Sequence, residues 1–187
     1  DEIVVGNMPQ LSLGIGAQVM EYLNDTERMT GFFATLNEYS ATGHNAPGYP
    51  FLLANGIDAI KDMFANKISS ASGDAKDFYQ AVVWSLEGLS AFIEAYVDLA
   101  IQMTLQEDLY TPAEIANLKA IAIRMRNVAH KKPASFLEGL QLVFITNCAF
   151  HQTGEPMSIG RLDQQLIDLY TEDIKQGKLN KDAAQEM

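Results

Sequence analysis

Residues 74–107 read DAKDFYQAVVWSLEGLSAFIEAYVDLAIQMTLQE, and this stretch decides the fold class of the chain. Its apolar side chains recur every three or four residues, which is the spacing of one face of an α-helix. The pattern predicts a long helix that begins at Asp74 and breaks near Glu107. The residues that carry it are Phe78, Val82, Leu86, Leu89, Phe92, Ile93, Tyr96, Val97, Ala100 and Ile101.

Signals for helix starts follow this stretch. Residues 111–114 (TPAE) combine an N-cap threonine, a proline at the first helical position and the acid of a capping box. Residues 135–138 (SFLE) repeat the capping box. Residues 137–150 are then apolar on nearly all sides, which predicts a helix surrounded by protein. The chain is therefore predicted to be mostly helical.

Four weaker patterns complete the prediction. Residues 3–6 (IVVG) form a short β-branched run closed by glycine and predict a strand. Residues 51–64 predict an amphipathic helix. Apolar residues from 162 to 170 predict another helix that ends near Gly177, and Asn180 is placed to cap a last one.

Composition limits the classes of function. The chain has 187 residues, of which 48% are apolar, so it is read as one domain or a sub-domain. With 13 basic and 24 acidic residues the net charge is -11, which disfavours nucleic acid and anionic lipid as partners. One cysteine excludes an internal disulfide framework and favours the cytoplasm. No run approaches the ~18 apolar residues of a membrane span.

The first segment that can carry chemistry is residues 43–49 (GHNAPGY). Glycine and proline give this loop backbone shapes that a helix lacks, so it can aim the imidazole of His44 into a pocket. The alternative is that His44 caps a helix or satisfies a buried carbonyl. The spacing alone favours this second interpretation.

The second segment is residues 151–164 (HQTGEPMSIGRLDQ), a polar stretch between two predicted helices. His151 and Glu155 lie four residues apart, but the intervening glycine, the following proline and the lack of a third ligand argue against a metal site. Arg161 with Asp163 is more often an ion pair that pins two helices than a substrate clamp. Because residues two apart would not face each other on one helix, each is expected to need a partner elsewhere. Cys148 lies in an apolar run and is expected to stay protonated and inert.

These stretches together resemble the glycyl radical enzyme superfamily, the pyruvate formate-lyase-like proteins, and in particular its dehydratase and decarboxylase branch. Four stretches carry the likeness. They are 1–6 (DEIVVG); 42–49 (TGHNAPGY) with Leu52, Leu53, Gly56 and Ile57; 133–136 (PASF) with Glu138 and 140–142 (LQL); and 158–164 (SIGRLDQ).

The resemblance implies that residues 1–187 are part of one pyruvate formate-lyase-like domain. Residues 38–187 match well, whereas residues 1–37 are atypical for the family. The implied fold is a ten-stranded α/β barrel wrapped by helices, and this chain would supply its helical N-terminal part. The chain opens at Asp1 and stops at Met187 within a helix-like stretch, so it is expected to be a piece of a larger enzyme.

The implied activity is a radical lyase reaction that cleaves a C–O, C–N or C–C bond of a small substrate, such as a diol or an amine alcohol. In this family an S-adenosylmethionine iron-sulfur activating enzyme installs a glycyl radical, and the enzyme is a homodimer. Neither the Gly-Cys-x-Glu-Pro loop nor the Arg-Val-x-Gly loop of the family occurs in residues 1–187. The chain itself is therefore expected to hold no catalytic residue, cofactor or metal, and to be inert alone.

The resemblance also implies two substrate-binding residues. In diol-dehydrating members the histidine of the Gly-His loop, here His44, hydrogen-bonds a substrate hydroxyl. Those members have Glu-Ser-Asn-Gly-His-Ser where this chain has residues 151–156 (HQTGEP), so the pocket imidazole and hydroxyl are replaced. An anionic Glu155 there would favour a cationic or hydrogen-bond-donating substrate over a carboxylate, and the alternative is that Glu155 stays protonated in a dry pocket. The alternative function is a stand-alone helical binding or scaffold module without catalysis.

Overall fold

The computed structural model describes residues 2–7, 25–26, 46–152 and 157–187. Over the last two ranges the chain forms eight helices, and no strand occurs among the described residues. The helices are α1 (Tyr49–Asn55), α2 (Ile57–Ile68), α3 (Asp74–Thr104), α4 (Pro112–His130), α5 (Phe136–Gln152), α6 (Leu162–Gln165), α7 (Ile167–Lys175) and α8 (Lys181–Glu186).

The long helix predicted from residue 74 is confirmed. Helix α3 spans 31 residues and ends at Thr104, shortly before the predicted break. It packs most extensively against α4 and then against α2. Ile93 and Val97 on its inner face are fully buried, whereas Trp84, the only tryptophan of the chain, lies on the outer face with 65% of its surface exposed. The core therefore lies on one side of α3.

The single helix predicted over residues 51–64 is wrong. The helical conformation breaks at Gly56, where φ is 77° and ψ is 165°, so that α1 ends before this residue and α2 begins after it. The main chain after α4 passes directly over this glycine. A β-carbon on Gly56 would lie 2.3 Å from the Lys132 amide nitrogen. The break is thus required by the close approach of two backbones.

Of the two predicted capping boxes, only the first is fully formed. The one that begins α4 is confirmed, since the Glu114 amide donates to Thr111 Oγ1 and the Thr111 amide donates to the Glu114 carboxylate. At α5, Ser135 accepts from the Glu138 amide at 3.2 Å, but the Glu138 carboxylate accepts from the amide of Ala134. The second box is therefore only half formed.

Helix α5 is buried on nearly all sides, as predicted, with Leu142 and Ile145 fully buried. Its first amide, that of Phe136, donates to Asp173 Oδ2 of α7 at 2.7 Å. A distant carboxylate thus caps this helix, and Asp173 is itself only 5% exposed. Helices α5 and α7 approach closely because the intervening contact position is Gly139.

The strand predicted over residues 3–6 is wrong. These residues have no neighbouring strand in the part of the chain that the structure describes. Instead the buried carboxamide of Gln141 binds the main chain of Val5, accepting from its amide at 2.9 Å and donating to its carbonyl at 2.6 Å. The Gln141 side chain thus makes the main-chain hydrogen bonds that a neighbouring strand would make in a sheet.

The C-terminal predictions are largely confirmed. The region from residue 162 is helical and ends before Gly177, but Leu166, buried at 2% exposure, divides it into α6 and α7. Asn180 caps α8 by accepting from the Ala183 amide at 2.8 Å. Of the helices in the described ranges, none is long and apolar enough to cross a membrane.

Replacing Gly88 by alanine should raise the free energy of unfolding by about 0.5–1 kcal/mol, because glycine is a poor residue in a helix interior. An added β-carbon would meet no atom within 4 Å. Urea unfolding followed by far-ultraviolet circular dichroism measures the change. Gly139→Ala is the control and should destabilise, since its β-carbon would lie 2.6 Å from Leu169. A loss of stability in the Gly88 variant would contradict the prediction.

Candidate functional site

The described parts of the two segments that the sequence singles out lie side by side. Ala46, which follows the Gly-His loop, lies beside Gly160 of the second segment. A β-carbon built on Gly160 would be 4.0 Å from the β-carbon of Ala46. Residues separated by more than a hundred positions are thus neighbours, which we call the loop junction (residues 46–49 and 157–161).

Tyr49 anchors the first segment to α5. Its side chain is 1% exposed, and its hydroxyl donates to Asn147 Oδ1 at 3.3 Å. Burial, with a smaller contribution from Cys148, raises the pKa of Tyr49 to about 12. The phenol therefore stays protonated and acts as a hydrogen-bond donor that positions the loop, rather than as a base.

Gln165 holds the shape of the second segment. Its Nε2 donates to the Ile159 carbonyl at 3.0 Å, and Gly160 adopts a positive φ of 75° beside it. The amide of Gly160 donates to Ser158 Oγ at 3.3 Å. The Oε1 atom of Gln165 is buried and has no hydrogen-bond partner within the described residues.

Arg161 and Asp163 do pair with each other, so the expectation that each needs a separate partner is wrong. Arg161 Nε lies 2.9 Å from Asp163 Oδ1, and Nη2 lies 2.6 Å from Oδ2. The pairing is possible because Arg161 is the N-cap of α6, outside the helix, with ψ of 78°. The guanidinium lowers the pKa of Asp163 through these hydrogen bonds, but both side chains are exposed. The pair shapes the surface and adds little stability.

A groove of about 550 Å³ runs between α1 and the residues that follow Gly160. Its described lining carries two cations, Lys132 and Arg161, and one carboxylate, Asp168. No histidine, cysteine or serine occurs among these described lining residues. This part of the groove can therefore bind and orient a polar molecule, but it supplies no catalytic set. Its lining residues are Pro50, Leu53, Ala54, Lys132, Pro133, Arg161, Gln164, Gln165, Asp168 and Leu169.

The two residues predicted to bind substrate, His44 and Glu155, lie outside the described residues. Their described neighbours, Ala46 and Met157, belong to the loop junction. Among the described residues no group of three His, Cys, Asp or Glu side chains is arranged to hold a metal ion. Cys148 is fully buried and burial raises the pKa of its thiol, which confirms the prediction that it stays protonated.

His130 forms an ionic cluster that the sequence analysis missed. Its Nδ1 lies 3.0 Å from Asp58 of α2, and its Nε2 lies 3.1 Å from Glu94 of α3. Each contact joins one ring nitrogen to a carboxylate oxygen, so the imidazole links α2 to α3 through both of its nitrogens. Burial raises the pKa of Asp58, but hydrogen bonds from Lys61 and His130 outweigh it and lower that pKa overall. The partners are 72 and 36 positions away, so no local spacing signals the cluster.

Replacing His130 by alanine should lower the free energy of unfolding by about 1 kcal/mol at about pH 6, because two partly exposed ionic contacts are lost. Urea unfolding at low ionic strength measures the loss. The same comparison in about 0.5 M sodium chloride should shrink the difference, since salt screens exposed charges. A difference that is independent of salt would contradict an ionic role for this cluster.

The fold and the loop junction define a helical segment that borders a polar groove and supplies no catalytic set from its described residues. Residues 15–187 match the family described as pyruvate formate lyase-like. The chain belongs to the pyruvate formate lyase-like family, and the predicted resemblance is confirmed.

Curated proteins resemble this chain over most of its length. The chain is 29% identical over 164 residues to the (2S)-3-sulfopropanediol dehydratase of Klebsiella oxytoca, with 83% of this chain and 20% of that protein covered. It is 34% identical over 150 residues to the 4-hydroxyphenylacetate decarboxylase glycyl radical subunit of Clostridium scatologenes, with 72% and 16% covered. The chain thus spans a fifth or less of the length of these two relatives.

Solved structures also match most of this chain. A glycyl radical enzyme from Archaeoglobus fulgidus matches with a TM-score of 0.70 and 25% identity, over 90% of this chain and 23% of that one. A Roseburia inulinivorans structure described for 1,2-propanediol dehydration matches with a TM-score of 0.69, over 92% and 22%. Its identity of 21% supports the fold alone. The prediction of a helical segment of a glycyl radical enzyme fold is confirmed.

Proposed function

We propose that this chain is the helical N-terminal part of a glycyl radical lyase and forms one wall of its substrate pocket. The observation that carries the proposal is the loop junction, where Ala46 lies beside Gly160. This contact supports a shared pocket for His44, two residues before Ala46, and Glu155, two residues before Met157. The supporting family match covers residues 15–187.

The substrate class follows from the two side chains. An imidazole donates to or accepts from a hydroxyl, and an ionised carboxylate favours a cation or a hydrogen-bond donor over another anion. A small diol or an amine alcohol has these properties. The lyase would cleave a C–O, C–N or C–C bond of such a substrate in the cytoplasm.

The groups that would carry the radical do not fit the residues of this chain. Its one cysteine, Cys148, is enclosed within α5, and burial raises the pKa of the thiol. We therefore assign the reactive cysteine and the glycyl radical to the part of the parent enzyme outside these 187 residues. An activating enzyme with an iron-sulfur cluster and S-adenosylmethionine would install the radical, and the parent would be a homodimer.

The proposal is tested by expressing the whole native gene product without oxygen, together with an activating enzyme. Electron paramagnetic resonance should then show a glycyl radical, while the 187-residue chain treated in the same way should show none. Absence of the radical from the whole gene product, with the activating enzyme active on a known relative, would support the helical binding or scaffold module instead.

Within the radical-competent parent, His44→Gln and Glu155→Gln should each lower kcat/KM for the preferred diol or amine alcohol by about tenfold or more, as expected when a buried hydrogen bond to substrate is lost. Steady-state kinetics without oxygen measures the change. Gly88→Ala, on the outer surface of α3, is the control and should leave kcat/KM unchanged. Unaltered kinetics in both variants would remove these residues from the pocket.

A further inference from the structure

Residues 2–7, which we call the strap, contact α3, α4 and α5 and are held mainly through their main chain, which bends at Ile3 and Val4. Asn117 Nδ2 donates to the Glu2 carbonyl at 2.9 Å, and the Arg124 guanidinium donates to the Ile3 carbonyl. Both donors come from α4. Neither contact depends on which side chain the strap carries.

The other end of the strap is also held through its main chain. Gln141 of α5 binds the amide and the carbonyl of Val5, and Tyr96 of α3 hydrogen-bonds the main chain of Asn7. Side chains from three helices thus contact successive peptide groups. Main-chain recognition of this kind is how proteins bind extended peptides without reading their sequence.

The side chains that hold the strap are built into the helical core. Gln141 is fully buried, and Arg124 is 8% exposed, with its Nε buried and unpartnered within the described residues. Burial lowers the pKa of Arg124, which shows the cost of enclosing its charge. Because buried polar groups require partners, the main chain of the strap supplies hydrogen bonds that these side chains would otherwise lack.

One position of the strap is selective. A β-carbon on Gly6 would lie 2.8 Å from the Phe144 ring and 2.9 Å from Cys148 Sγ, so only glycine fits against α5 there. By contrast, Val5 is the one strap side chain that packs against the core, and Glu2 and Asn7 are exposed. The strap therefore contributes one apolar side chain and the close contact at Gly6 to the core.

We propose that Tyr96, Asn117, Arg124 and Gln141 form a peptide-binding cleft, and that the strap is its tethered ligand. The partner is a peptide with a β-branched residue followed by glycine, bound through its main chain in the conformation of the strap. Such a peptide displaces the strap and takes over its hydrogen bonds. This inference is independent of the lyase chemistry.

The test uses the full chain and a synthetic heptapeptide of sequence DEIVVGN. Gly6→Ala should expel the strap and leave the cleft open, so this variant should bind the heptapeptide at least about tenfold more tightly than the wild-type chain, in which the tethered strap competes at an effective concentration of order millimolar. Isothermal titration calorimetry measures both affinities. A heptapeptide with alanine at its sixth position should bind at least about tenfold more weakly.

Adding Gln141→Ala to the Gly6 variant should abolish heptapeptide binding, since the carboxamide supplies two of the hydrogen bonds to the peptide main chain. Equal heptapeptide affinity in wild type and the Gly6 variant would overturn the proposal. So would absence of binding in a variant whose circular dichroism shows native helix content.

Hydrogen exchange on the unaltered chain tests the same idea without substitutions. The Val5 amide should exchange at least about tenfold faster than the core amides of Met125 and Val128, because the strap opens without global unfolding. Excess heptapeptide should speed exchange at Val5 and leave the core amides unchanged. Exchange of all three amides in one cooperative step would overturn the proposal.

Discussion

Replacing Gly56 by alanine should lower the free energy of unfolding by about 3–5 kcal/mol, the largest effect that we expect of one added methyl group in this chain. The new β-carbon would lie 2.3 Å from the Lys132 amide nitrogen and 2.5 Å from the Lys131 carbonyl carbon. Both are backbone atoms, which cannot turn aside as a side chain does. The dihedral angles of Gly56, φ 77° and ψ 165°, are also in a region that is essentially restricted to glycine.

Gly73→Ala is the matched control for Gly56→Ala. Gly73 also has a positive φ, 54°, and it also precedes a helix, but no atom lies within 4 Å of its added β-carbon. The free energy of unfolding of the Gly73 variant should fall by only about 1–3 kcal/mol, because this variant has the unfavourable backbone conformation without the steric clash. Urea unfolding followed by circular dichroism compares the two variants. Equal losses would show that the crossing backbones at Gly56 yield to the methyl group.

Asp173→Ala should lower the free energy of unfolding by about 2–3 kcal/mol. Its carboxylate is 5% exposed and accepts from the Phe136 amide at 2.7 Å, at the first residue of α5. Removing it leaves an amide without a partner at the start of a largely buried helix. It also removes a negative charge that the positive end of the α5 dipole stabilises.

Asp173→Asn separates the hydrogen bond from the charge. The asparagine oxygen still accepts from the Phe136 amide, so this variant should lose about 1 kcal/mol, the part due to the charge. Urea unfolding of the wild type and both variants measures the difference. A loss in Asp173→Asn as large as in Asp173→Ala would mean that the capping hydrogen bond contributes nothing.

Local signals predicted most helices correctly. The spacing of apolar residues in α3 and the cap at Thr111 are properties of neighbouring residues, so they can be read from a short window. The break at Gly56 could not be read in this way. A glycine within a helical pattern is usually tolerated, and here the cause is the main chain after α4, which is distant in sequence.

The wrong prediction of a strand at residues 3–6 has a related cause. β-Branched residues favour strands, but the pattern does not say what binds the segment. The partner is the carboxamide of Gln141 in an otherwise apolar helix. A buried glutamine in such a run was the available signal, since a buried polar side chain must find a partner.

The candidate site was predicted as two segments, and the structure brings those segments together at Ala46 and Gly160. The roles of His44 and Glu155 remain predictions. The internal pairing of Arg161 with Asp163 was missed because the rule for residues two apart applies inside a helix, and Arg161 stands at its cap. The His130 cluster joins side chains from three helices, so no pattern of neighbouring residues could predict it.

Trp84 has a practical consequence for spectroscopy. The indole is 65% exposed on the outer face of α3, so its emission in the native chain already resembles that of indole in water. Tryptophan fluorescence will therefore be nearly silent during unfolding of the core. The same property makes Trp84 an optical reporter of docking, because a blue shift of its emission would record a protein surface that covers this face of α3.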